Sequence, residues 1–140
     1  MLILILHLCS CLFLTGLIWT IQIVHYPTFK FVEPVQFHNF TKFHVKKISY
    51  IVAPLMVLEL ASALYLLRVQ ANLPIFINLI FLLLIWLSTF FLSIPCHDKL
   101  LKQFDLSIIE KLIQTNWPRT ILWSLRSLLL MTYSLYTVNV

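Results

Sequence analysis

The sequence predicts an all-α fold: a membrane four-helix bundle with both termini outside and short amphipathic helices on the cytoplasmic surface. Three observations predict it. Hydrophobic residues make up 61% of the 140 and charged residues only 11%, and a soluble domain of this size cannot hide that much apolar surface. The mean hydropathy of +0.94 agrees. The apolar residues fall into four runs, approximately 2–24, 48–68, 74–95 and 118–138, each close to the roughly 20 residues that a spanning helix needs. The cations collect between alternate runs, as the two faces of a membrane require. Residues 1–140 therefore read as a single transmembrane domain.

Each element has its own signals. The first run, Leu2 to Val24, has no basic start and is too long for the apolar region of a signal peptide, so it is expected to remain as a span. It closes on Gln22, His25, Tyr26 and Pro27. In the connection that follows, Phe37, Phe40, His44, Ile48 and Ile51 recur at three and four. That spacing predicts an amphipathic lead-in to the second span. Pro54 lies inside that span, removes a backbone donor and is expected to kink it. Asn72 with Pro74 opens the third run, and Asn116 with Pro118 the fourth, each a cap followed by Pro in the first turn. Pro95 is expected to close the third. "SIIE" (107–110) is a capping-box pattern. With Leu106, Ile109 and Leu112 or Ile113 it predicts a short helix on the membrane surface.

Charge sets the orientation. Eight of the ten Lys and Arg residues lie in or beside the two long connections: Lys30, Lys42, Lys46 and Lys47, then Lys99, Lys102, Lys111 and Arg119. Those connections are expected to face the cytoplasm. The net charge of +5 is absorbed by this topology. No basic stripe with interleaved aromatics points to nucleic acid. The single glycine, Gly16, excludes Gly-rich nucleotide loops and GxxxG pairing. Cys9, Cys11 and Cys96 have no metal-type spacing and read as small buried side chains, not a disulfide framework.

Polar residues inside spans usually face the bundle interior. Here they form stripes: Thr15, Trp19, Gln22 and Tyr26; Glu59 and Ser62; Asn78, Trp86, Thr89, Ser93 and His97; Arg119, Trp123, Arg126, Tyr133 and Thr137. At the helical rise Glu59 lies about 18 Å past Lys47 and Arg126 about 12 Å past Pro118. An Arg side chain can bridge most of that difference, so a buried Glu59–Arg126 pair is expected. Topology also gathers His25, His44, His97, Tyr26, Asn116 and Arg119 at one end of the bundle. These are candidates for acid–base chemistry, with Gln22, Trp86, Asn116 and Trp123 as substrate-binding candidates. His38, six residues from His44, and His7, near the outer end, are expected to lie outside the group. A mononuclear metal on His25, His44 and His97, or haem between facing His rings, is compatible with these residue types. No HxxxH, HxxHH or ExxH motif supports either.

The patterns QxxHYPxF (22–29), FxxFH (40–44), PLMxxE (54–59) and TNWxRTxxW (115–123) together resemble a group of small bacterial four-span membrane proteins of unassigned function. The resemblance covers most of the chain. It implies a bacterial inner-membrane location and treats Gln22, His25, His44, Glu59, Asn116 and Arg119 as one set. The chain is also similar in size and span count to membrane-bound haem-pathway oxidases and anthrone-oxygenase-like proteins. It departs from their motifs, so their cofactors are not carried over.

Three functions fit. The first is a small membrane enzyme or redox protein acting on a lipophilic molecule at a His/Arg-lined pocket. The second is a non-enzymatic assembly factor or subunit whose polar stripes join helices. The third is a small transporter, which would need to oligomerise because four spans without a repeat are few for alternating access. Beyond the bilayer and a lipophilic small molecule, the sequence names no partner and fixes no oligomeric state. If the charge rule holds, reporter fusions at Val140 and near Gln70 will both read as outside.

Overall fold

The computed structural model describes residues 2–139, all helix and short connections. The first rod is α1 (Leu2–Thr20), a π-helical turn (Ile21–His25), α2 (Tyr26–Thr28) and a 3-10 turn (Phe29–Phe31). The second is α3 (Pro34–Val69). The third is α4 (Leu73–Ser88), a second π-helical turn (Thr89–Ser93) and α5 (Ile94–Leu100). The fourth is α6 (Leu106–Asn139). The first and third rods each pack against both the second and the fourth.

Among the described residues three rods are long and apolar enough to cross a membrane: Leu2–Phe31, Pro34–Val69 and Leu73–Leu100. The expected fourth span is helical, but it does not reach the same apolarity. Arg126 is one reason, and its side chain is fully buried inside the fold. Burial is inverted relative to a water-soluble protein. Glu59, Asn78 and His7 are buried, while Phe91, Leu128 and Ile23 face outward. Hydrocarbon surroundings favour that arrangement.

The prolines act differently from expectation. Pro27 and Pro95 do not end their rods. In a regular α-helix a proline ring collides with the carbonyl four residues earlier, here Ile23 and Phe91. Both carbonyls lie in the π-helical turns. The wider turn makes room, and the backbone closes over five residues instead of four. Tyr26 N–H donates to the Ile21 carbonyl, and Ile94 N–H to the Thr89 carbonyl. Pro54 is also internal to its helix. Pro118 does not open a helix but lies within α6, so Asn116 is a buried mid-helix residue and not a cap. Asn72 does cap α4, accepting from Ile75 N–H at 3.2 Å.

The short surface helices are absent as separate elements among the described residues. The lead-in is the start of α3, and "SIIE" lies in the first turns of α6. Ser107 is not the cap. Asp105 is, with Oδ1 accepting from Ser107 N–H at 2.8 Å and Ile108 N–H at 3.3 Å. The Ser107 hydroxyl, then these N–H groups, hold its carboxyl below the usual carboxylate range. The reason for the fusion is packing. Phe37, Ile109, Leu112, Leu100 and Phe29 form one buried cluster, so the lead-ins cover each other instead of lying on lipid. Ile51, expected on that face, points outward.

Above this cluster one polar network joins all four rods. Arg126 Nη1 donates to both Glu59 oxygens at 3.1 Å, and both side chains have zero exposure. Arg126 Nε donates to Asn78 Oδ1 at 2.9 Å. Since an arginine only donates, the Asn78 amide is oriented, and its Nδ2 donates to His7 Nε2 at 2.9 Å. His7 therefore carries its proton on Nδ1, 2.7 Å from Ser62 Oγ, which donates on to the Leu58 carbonyl. Trp123 Nε1 donates to Glu59 Oε2 at 3.2 Å. His7, expected only to lie outside the group at the mouth, is a buried member of this network. Losing one ion of such a pair strands the other. Glu59→Gln or Arg126→Gln alone should cost about 3–5 kcal/mol, and Glu59→Leu with Arg126→Met together less than either, measured by thermal unfolding in detergent.

Candidate functional site

A cavity of about 370 Å³ opens between the rods. Its walls are mostly apolar: Leu14 and Ile18 from α1, Val52 and Met56 from α3, Phe90 from the third rod. Trp86 and Trp123, two of the binding candidates, also line it. Polar side chains enter at one end: Tyr26, Ser93, His97 and Arg119. The π-helical turns help to set this end. Inward positions run four apart through each turn, as Ile18, Gln22 and Tyr26 and as Ile85, Thr89 and Ser93. A regular helix would need a step of three among them.

The polar end is a directed chain. Arg119 Nη2 donates to Tyr26 OH at 3.4 Å, and Tyr26 OH lies 3.1 Å from His97 Nε2. The phenol oxygen accepts from Arg119, and assigning the phenol proton to His97 Nε2, its other polar neighbour, places the His97 proton on Nδ1. Behind Arg119 stands a second layer. Asn116 Oδ1 accepts from Arg119 Nη2, Asn116 Nδ2 donates to Gln22 Oε1 at 2.7 Å, and Gln22 Nε2 donates to the Ile113 carbonyl at 3.2 Å. Gln22 and Asn116 do not line the cavity. They hold Arg119 in place.

The three expected histidines are brought together, but in a line and not around a point. His44 and His97 have ring centroids 5.4 Å apart, and His25 Nε2 lies 2.6 Å from His44 Nδ1. Only His97 reaches the cavity wall. Two ring nitrogens facing each other at 2.6 Å leave no space for an iron or zinc between them. No group of three or more His, Cys, Asp or Glu among the described residues is arranged to hold a metal ion. Phe29, not among the candidates, packs edge-on to His25 and His44, with centroids 5.6 and 5.2 Å away. His38 lies elsewhere, at the Leu101 carbonyl. Trp19, expected in the inward stripe, is on the outside, bonded to Ser124 and edge-on to Trp117.

Two features of the lining need an explanation. Arg119 is buried, yet the ion pairs among the described residues are Glu59–Arg126 and the surface pair Lys30–Glu110. Its bonded neighbours are neutral: Asn116, Tyr26 and, at 3.5 Å, the Thr89 hydroxyl. Four buried atoms on lining residues have no hydrogen-bond partner: Trp86 Nε1, Ser93 Oγ, His97 Nδ1 and Arg119 Nε. Such groups are rare in folded proteins.

No protein family, curated protein sequence or solved structure matches this chain. The geometry of the site is therefore the basis for its function.

The second layer can be tested by itself. Asn116→Leu removes an acceptor from Arg119 and a donor from Gln22, and is expected to lower stability by about 1–3 kcal/mol. Asn116→Asp, which keeps the acceptor and adds a counter-charge but loses the donor to Gln22, should fall between wild type and Asn116→Leu in the same thermal assay.

Proposed function

We propose that this chain is an integral protein of the bacterial inner membrane. In this reading it is a four-span bundle with both termini outside. Eight of ten cations at one end support the orientation. The buried arginines of α6 support its crossing, because they remove charge from the lipid face. The motif resemblance supports the compartment.

Within that frame the protein takes a lipophilic molecule into the cavity and meets its polar end with Arg119, Tyr26 and His97. One observation carries this reading: an apolar cavity that ends on a hydrogen-bonded chain from guanidinium to phenol to imidazole. A phenol that accepts from an arginine and donates to an imidazole is set to give its proton to His97 Nε2 and, as a phenolate held beside the guanidinium, to take one from a bound molecule. His44 and His25 continue the line away from the cavity to a half-buried ring. The chemistry proposed is therefore general acid–base catalysis on a lipophilic substrate, with Tyr26 and His97 as catalytic residues and Arg119 as the polarising one. The mid-depth Glu59–Arg126 network is structural, because nearly all its polar groups are satisfied within the fold.

A brominated dodecyl chain should quench Trp86 and Trp123 in protein carrying Trp19→Phe and Trp117→Phe. Val52→Phe, which fills the cavity without touching its polar end, should abolish that quenching. If the chain does not quench, or quenches equally with Val52→Phe, the polar stripes are helix-joining devices and the assembly-factor reading takes over.

A further inference from the structure

We infer that the molecule in the cavity carries an anionic head, a carboxylate or a phosphate ester, on a single apolar chain. This rests on the cavity reading above and adds the chemical class of the ligand. Two independent features point to it. The first is the set of unsatisfied atoms. Trp86 Nε1, Ser93 Oγ, His97 Nδ1 and Arg119 Nε belong to lining residues, are buried and have no partner. All four can donate. Trp and Arg nitrogens cannot accept, and the direction of the Tyr26 bond puts the free His97 nitrogen in its N–H form. The polar end of the occupant must then be an acceptor, and one with several lone pairs.

The second feature is charge. A buried guanidinium surrounded by neutral dipoles is costly. Seven residues along α6, Arg126 is met by Glu59 at 3.1 Å. Arg119 has no carboxylate in contact among the described residues. A neutral carbonyl or hydroxyl would satisfy the donors but leave that charge uncompensated. An anion satisfies both, and a planar carboxylate or a phosphate suits the fork of a guanidinium. The apolar wall of Leu14, Ile18, Val52 and Met56 leaves room for one chain. Asp98 also lines the cavity but is exposed and makes no ion pair with Arg119. It would sit at the entrance.

The experiment is a head-group panel on one brominated dodecyl chain: dodecanoate, dodecyl phosphate, dodecanol and methyl dodecanoate. Each is titrated into the detergent-solubilised full chain carrying Trp19→Phe and Trp117→Phe, with quenching of Trp86 and Trp123 as readout. The acid or the phosphate should bind at least about tenfold more tightly than the alcohol and the ester. The preference should persist in high salt, because a buried contact is poorly screened. It should collapse with Arg119→Gln and survive with Arg119→Lys. A stronger phosphate points to a lipid headgroup or phosphate ester, a stronger carboxylate to a free acid, and either supports the proposal. If the alcohol or the ester binds as well as the acid, the anionic head is wrong while the cavity reading stands. If none of the four quenches, the cavity reading fails and takes this one with it. Should Arg119→Gln not fold, the comparison on the Arg119 protein still decides.

Discussion

The structure depends on a buried charge pair that cannot be solvated from any side. Glu59 and Arg126 have no exposed surface. In a low-dielectric interior each would be prohibitive alone. The pair fixes the relative height of α3 and α6. Arg126 then orients Asn78 of α4, which orients His7 of α1, whose other nitrogen reaches Ser62 of α3. Each step has only one chemically sensible direction. Helices in hydrocarbon gain little from burying leucine against leucine. A directional network that touches every rod supplies the specificity that apolar contact lacks.

The two π-helical turns do for the site what the charge pair does for the bundle. Each is followed by a proline two residues past its last residue, at Pro27 and Pro95, and its wider turn accommodates the ring. Each also carries groups that serve the polar end, Gln22 and His25 in one and Thr89 and Ser93 in the other. Tyr26 follows the first directly, and His97 lies one helical turn after the second. The strain of a proline in a long helix is thus relieved where the helix must turn unusual side chains inward. π-Turns are often associated with functional positions for this reason.

Much of the helical pattern was legible from sequence, because long apolar runs and their flanking polar residues are strong signals. The proximity of His25, His44 and His97 was legible from topology alone. What escaped has physical causes. Stripes drawn at a constant helical period put Trp19 inside, whereas the π-helical turn below it changes the period. Pro27 and Pro95 read as stops because the π-helical alternative is rare, and Pro118 read as a first-turn residue although α6 runs through it, so each hid a continuing helix. Asn116 looked like a cap because Asn followed by Pro is a helix-start pattern. The surface helices were read as lipid-facing because their apolar residues had no visible partner. The partners, Phe37 against Ile109 and Leu112, lie some seventy residues away in the chain. His7 was the avoidable miss. An imidazole inside an apolar span is itself a sign of a buried partner.

The two arginines of α6 meet different surroundings within one helix. They are seven residues apart and so lie on one face, both buried. Arg126 meets a carboxylate and an oriented amide, and its neighbours close into a network that reaches all four rods. Arg119 meets only neutral groups, and residues behind it, Gln22 and Asn116, hold it without neutralising it. Stability alone would favour giving Arg119 a partner like Glu59, and Asn116 stands where an aspartate would supply one. The fold compensates one buried arginine with a carboxylate and leaves the other among neutral groups at the wall of a cavity, where the proposed ligand would supply the missing charge. That difference, more than the presence of histidines, is the ground on which the proposed function rests.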